Sequence, residues 1–101
     1  MKFPVTKYGL LRLLQLVFDV EPPAAAKITY FRGEASARLQ WDKRGVFSAY
    51  RFDFRNGQFW AAQTICVNDR VTRRERPVSA PVLRAAGLFA AAYAVEREAE
   101  T

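Results

Sequence analysis

The chain contains no histidine and a single cysteine, Cys66. The first absence removes the commonest general base, the commonest zinc ligand and the usual physiological pH switch. One cysteine permits neither an internal disulfide nor a thiolate metal cluster. No segment approaches the roughly 20 apolar residues that a membrane-crossing helix needs. The run from Leu10 to Val20 is too short, and Arg12 and Gln15 interrupt it. Met1-Lys2-Phe3-Pro4 opens like a secretion signal. After the apolar run, however, stand Asp19, Glu21, Pro22 and Pro23, where a cleavage site needs small residues. The expectation is a cytoplasmic protein with no membrane partner.

Glycine is sparse as well. Gly9, Gly33, Gly45, Gly57 and Gly87 are scattered, and none builds a phosphate-cradling loop. Asp53 with Glu34, or Asp69 with Glu75, would be candidate catalytic carboxylate pairs. Arginines flank each of them, which points to charge compensation rather than acid–base chemistry. Cys66 has no base to activate it and reads as a small apolar strand residue. The expectation is a non-catalytic protein without metal or cofactor.

What is present is a chain of 101 residues, 50% hydrophobic, with a formal charge of +6 and a pI near 10.0. That length and composition suit one domain, residues 1–101. The positive charge is concentrated: residues 27–76 carry the whole excess, and the two flanks balance. Such a field favours polyanions or acidic protein surfaces.

Thr6 is a suitable N-cap for a helix from Lys7 to Asp19. Leu10, Leu11, Leu14, Val17 and Phe18 form its apolar stripe, and Leu13 and Leu16 widen it. Pro22-Pro23 ends it, and Ala24 to Ala26 links to a run of strands. Four are predicted. Lys27 to Arg32 and Ala35 to Trp41 join at Gly33-Glu34. The four-residue turn Asp42-Lys43-Arg44-Gly45 leads into Val46 to Arg55. Asn56-Gly57 then turns into Gln58 to Val67. Asn-Gly between two β-rich runs is the strongest short hairpin signal, because a type I′ turn needs positive φ at both central residues. After the Asn68-Asp69 turn, Arg70 to Arg76 reads as a basic loop or a short edge strand ended by Pro77. Ser79 caps a last helix from Ala80 to about Glu98, with Leu88, Ala92 and Val95 on its stripe beside Ala85 and Phe89.

The predicted fold is therefore α+β, in the order αββββα: a four-stranded antiparallel β-meander with both helices packed on one face. Taking each turn at face value pairs Tyr30 with Ala37, Leu39 with Ser48 and Phe52 with Ala61. All three hairpins then place their apolar sets on the same side. That core face includes Ile28, Tyr30, Leu39, Trp41, Tyr50, Phe52, Phe54 and Phe59. The opposite face carries Arg38, Arg51, Asp53, Arg55, Gln58 and Trp60, with Phe31, Phe47, Ala49, Ala62 and Cys66 making its far end apolar.

Trp60 falls opposite Asp53 and diagonal to Arg51 and Arg55, close enough for an arginine to stack on the indole. Arg38 falls opposite Ala49, one strand away. A tryptophan among arginines suits a protein hot spot or a nucleic-acid surface that grips phosphates and stacks on a base. It also suits a solvated face on which arginine stems shield the ring. The densest basic cluster is Arg70, Arg73, Arg74 and Arg76. The apolar far end needs cover, for which that cluster's segment or a second copy of the chain are the candidates.

The helix–sheet–helix order is similar to that of the double-stranded-RNA-binding domain. That family opens its second helix with a lysine-rich stretch. Here the position reads Ser79-Ala80-Pro81-Val82-Leu83-Arg84, with one basic residue. The likeness thus covers topology and not function. In size, charge and lack of motifs the chain resembles phage and mobile-element proteins that block or adapt host machinery, anti-CRISPR proteins among them. The leading expectation is an accessory or inhibitory module that docks on an acidic protein surface or a nucleic-acid-handling complex. Direct DNA or RNA binding and a homodimeric structural protein are the alternatives.

Overall fold

A computed structural model describes residues 5–31 and 36–99. Helix α1 spans Lys7–Phe18, and the Thr6 side chain accepts a hydrogen bond from the Gly9 N–H at 3.0 Å. It ends before the prolines. Asp19 turns left-handed (φ 55°), and its N–H and that of Val20 donate to the carbonyls of Gln15 and Leu14. Leu10, Leu13 and Leu14 are wholly buried, but Leu16 is half exposed on the outer side of the helix.

Among the described residues the sheet has five antiparallel strands in meander order, not four: β1 Lys27–Tyr30, β2 Ala37–Lys43, β3 Val46–Arg55, β4 Gln58–Val67 and β5 Arg70–Val78. Of the two readings of Arg70 to Arg76, the edge strand is the one the structure shows, and it is longer than predicted. The segment belongs to a nine-residue edge strand that continues through Pro77. Three two-residue turns organise the meander. Arg44-Gly45, Asn56-Gly57 and Asn68-Asp69 all have positive φ at both positions, as type I′ turns require. The turn at Gly33-Glu34 lies outside the described residues.

The Asn56-Gly57 hairpin has the predicted register, Phe54 opposite Phe59 and Asp53 opposite Trp60. The β2–β3 turn is tighter than the four residues predicted. Lys43 pairs with Val46, so Leu39 lies opposite Tyr50 rather than Ser48, and Arg38 opposite Arg51 rather than Ala49. The displacement is two residues. Side chains alternate with period 2, so every residue keeps its predicted face.

The carboxy-terminal helix is broken into α2 Ala80–Ala85 and α3 Phe89–Ala99. Gly87 is left-handed (φ 83°). Its N–H donates to the Arg84 carbonyl, and the Leu88 N–H donates back to the Leu83 carbonyl, which closes the first helix. The break buries Leu88 against α1. A Cβ on Gly9 would lie 2.6 Å from Leu88 Cδ2, so that glycine makes the room. It also leaves Phe89 and Ala85 exposed, where a continuous helix had placed them beside the buried stripe.

One hydrophobic core results. Leu10, Leu13, Leu14 and Phe18 from α1 join Leu83, Leu88, Ala91 and Ala92, and both groups rest on Leu39, Tyr50, Phe52, Phe59 and Ala61 of the sheet. All five sheet residues belong to the predicted core face. Tyr30 does not join them; on the short strand β1 it is about half exposed.

Candidate docking face

Among the described residues, the opposite face contributes none to that core. The ladders arrange it in rows across the strands. Thr29, Arg38, Arg51, Ala62 and Glu75 form one; Lys27, Gln40, Ala49, Thr64 and Arg73 form the next. Asp42, Phe47, Cys66 and Val71 follow. Ala49 is buried although it lies outside the core, because longer side chains rise around it.

Near the Asn56-Gly57 turn, the Arg55 guanidinium lies 4.9 Å from the centre of the Trp60 ring. Asp53, at 3.7 Å, and Glu75 both pair with it. Trp60 is half-buried, with Asp53 and Pro77 as its cross-strand neighbours. Gln58 is exposed opposite Arg55, beside the turn. This corner is neutralised by its own carboxylates. Arg51 does not reach Trp60 but lies 4.6 Å over the Phe31 ring.

The centre of the face differs. Arg38 and Arg51 are direct cross-strand partners, a pairing that is unfavourable for like charges unless something neutralises it. Neither has a carboxylate partner among the described residues. Lys27 stands to one side and Arg73 to the other. Beside Lys27, where the linker meets β2, a shallow groove of about 530 Å³ is lined by Pro23, Ala25, Gln40, Asp42 and Phe47.

The arginine cluster is divided by the pleat of β5. Arg73 lies on the open face, whereas Arg70, Arg74 and Arg76 pair with Val67, Gln63 and Ala61 and so belong to the core-face side. Because β5 lies in the plane of the sheet, it does not cover the apolar end. Phe47 and Cys66 stay half-buried, and Val71 is about 61% exposed.

Arg74 has a structural task. Its Nε donates to Gln63 Oε1 at 3.0 Å, Gln63 Nε2 donates to the Tyr50 hydroxyl at 2.6 Å, and the guanidinium sits 5.8 Å over the Phe18 ring. Tyr50 stacks on Trp41, centroids 5.2 Å apart. Burial raises the Tyr50 pKa above 10.0, and the Gln63 hydrogen bond and the Arg74 charge oppose that rise. This chain of polar contacts at the rim of the core and the clasp of Glu75 on Arg55 were both missed in the sequence. Reading Asn68-Asp69 as a two-residue turn would have registered β5, setting Arg74 opposite Gln63 and Glu75 on the same face as Arg55.

Among the described residues, no group of three or more Cys, Asp or Glu is placed to hold a metal ion, and no helix is long and apolar enough to cross a membrane. No protein family, curated protein or solved structure matches the chain.

Proposed function

We propose that this protein is a non-catalytic docking module that seats an acidic protein surface, alone or within a nucleic-acid-handling complex, on the open face of its sheet. The observation that carries this reading is the Arg38–Arg51 pair, two cross-strand cations without carboxylate partners among the described residues on a face outside the core. An acidic partner relieves their repulsion, so part of the binding energy comes from removing an unfavourable pairing. Trp60 and Phe31 supply apolar area beneath their arginines. An accessory or inhibitory role inside the cell, of the kind mobile-element proteins play against host machinery, fits the same features.

Direct DNA or RNA binding is the weaker reading. One face of the Trp60 ring is already taken by Arg55, and Asp42, Asp53 and Glu75 share the surface that phosphates would approach. A second reading, a homodimer through the open face, is favoured by its apolar end at Phe47, Cys66 and Val71.

The test is capture of partners from the native host with and without nuclease. Arg38→Glu combined with Arg51→Glu abolishes nuclease-resistant capture and leaves the melting temperature within the scatter of surface substitutions. Capture lost on nuclease treatment, with oligonucleotide affinity falling steeply as salt rises, transfers the function to nucleic acid. A dimer mass by light scattering, lost in Phe47→Glu, transfers it to self-association.

A further inference from the structure

Strand β5 ends the sheet, and residues 70–77 are all exposed. Its backbone polarity follows from the turn. A two-residue hairpin makes Val67 and Arg70 a hydrogen-bonded pair, and such pairs alternate along an antiparallel ladder. Arg70, Thr72, Arg74, Arg76 and Val78 therefore bond inward to β4. Val71, Arg73, Glu75 and Pro77 turn their backbone groups outward. The place of the proline agrees, since a missing N–H there takes nothing from the ladder. The free edge thus presents three N–H groups, at Val71, Arg73 and Glu75, spaced about 6.8 Å apart, and it stops at Pro77.

Side-chain charge restricts what can lie along that edge. Arg70, Arg74 and Arg76 line one side of it and Arg73 the other, while its single acid, Glu75, is paired with Arg55. A second copy adding its own β5 would set four arginines against four. An extended segment rich in Asp or Glu meets complementary charge on both sides. Resting on the docking reading above, we propose that β5 takes up an extended acidic segment of the partner by strand addition, main chain to main chain at Val71, Arg73 and Glu75, with its carboxylates facing the arginines. Arginine on an edge also deters unwanted pairing; if that is its whole role, no acidic strand binds.

Fluorescence anisotropy with a labelled peptide of alternating Glu and Val tests the proposal. Val71→Pro removes an outward N–H, leaves the inward ladder intact and changes no charge. Glu75→Pro removes another and makes the edge more positive. Each weakens the peptide about tenfold, the worth of one well-placed hydrogen bond. Unchanged binding in Val71→Pro, or tighter binding in Glu75→Pro, overturns strand addition in favour of unspecific charge attraction. Should either proline variant fail to fold by circular dichroism, the wild-type protein with a fully N-methylated peptide decides: equal affinity for methylated and unmethylated peptide overturns the proposal. The Arg38→Glu/Arg51→Glu variant separates the two readings. It keeps the peptide while losing open-face capture: capture that survives in this variant overturns the open-face reading, and a wild-type protein that binds no peptide overturns strand addition. An oligonucleotide that displaces the peptide with equal strength from wild type and Val71→Pro also counts against strand addition.

Discussion

The two faces of the sheet use arginine in opposite ways. On the core face, Arg74 is drawn into a relay with Gln63 and Tyr50 and lies over Phe18, where the helical cover ends. On the open face, Arg38 and Arg51 meet across a ladder with no carboxylate partner among the described residues. Arg73, next to Arg74 in sequence, lies on that open face because the pleat sends neighbours to opposite sides. The difference shows what burial demands. A polar group at the rim of a core must find partners or lose stability. A cation in solvent can stand beside another, and that arrangement is useful only if something outside the chain completes it.

That contrast can be broken by mutation, beginning with the core. Phe52 is fully buried, and Phe52→Ala is expected to cost about 3–5 kcal/mol in chemical denaturation. A loss under about 1 kcal/mol would mean that the helices do not seal this face. Next is the relay. Gln63 is 7% exposed, and Gln63→Leu strands the buried Tyr50 hydroxyl and releases the exposed Arg74 guanidinium to water, with an expected loss of about 1–3 kcal/mol. Its size sharpens the comparison, because a Gln63→Leu that leaves stability unchanged would mean that the relay lies in solvent rather than at the core.

Alkaline pH probes the same point more gently. The folded-state pKa of Tyr50 is raised above 10.0, so the unfolded chain releases that proton first. Stability is therefore intact below the ordinary tyrosine pKa and falls as pH climbs from there through the raised value. Tyr50→Phe flattens the fall in a denaturation series across alkaline pH; an unchanged slope would assign it to other groups. The smallest effect is expected on the open face. Trp60 is half-buried and outside the core, so Trp60→Ala shifts the melting temperature little while weakening partner capture. A variant that unfolds would make Trp60 a structural residue and remove it from the docking surface.

Much of the sheet was legible because its signals are local. Asn56-Gly57 demands positive φ at both positions, and that alone placed Asp53 opposite Trp60. The β2–β3 turn shows how robust such a reading is. The register slipped by two residues, the partners changed, and yet every side chain kept its face. The fifth strand was harder to see. Eight of its nine residues are exposed and six are polar, so no alternation of burial marks it; its one announcement is the Asn68-Asp69 turn. The break at Gly87 was hidden for a different reason. Alanine-rich sequence on both sides reads as continuous helix, and what rewards bending there is the space left by Gly9, far away in the chain.

By itself the sequence determined the two faces of the sheet, because alternation and turn chemistry act between near neighbours and need nothing else. It also determined that the positive charge lies on the strands. Only the tertiary structure decided which cations are occupied. Arg55 is clasped by a glutamate 20 residues away, Arg74 is held by a buried glutamine, and Arg38 and Arg51 are left facing each other. Such assignments depend on which strand lies beside which, a long-range outcome that no local pattern encodes.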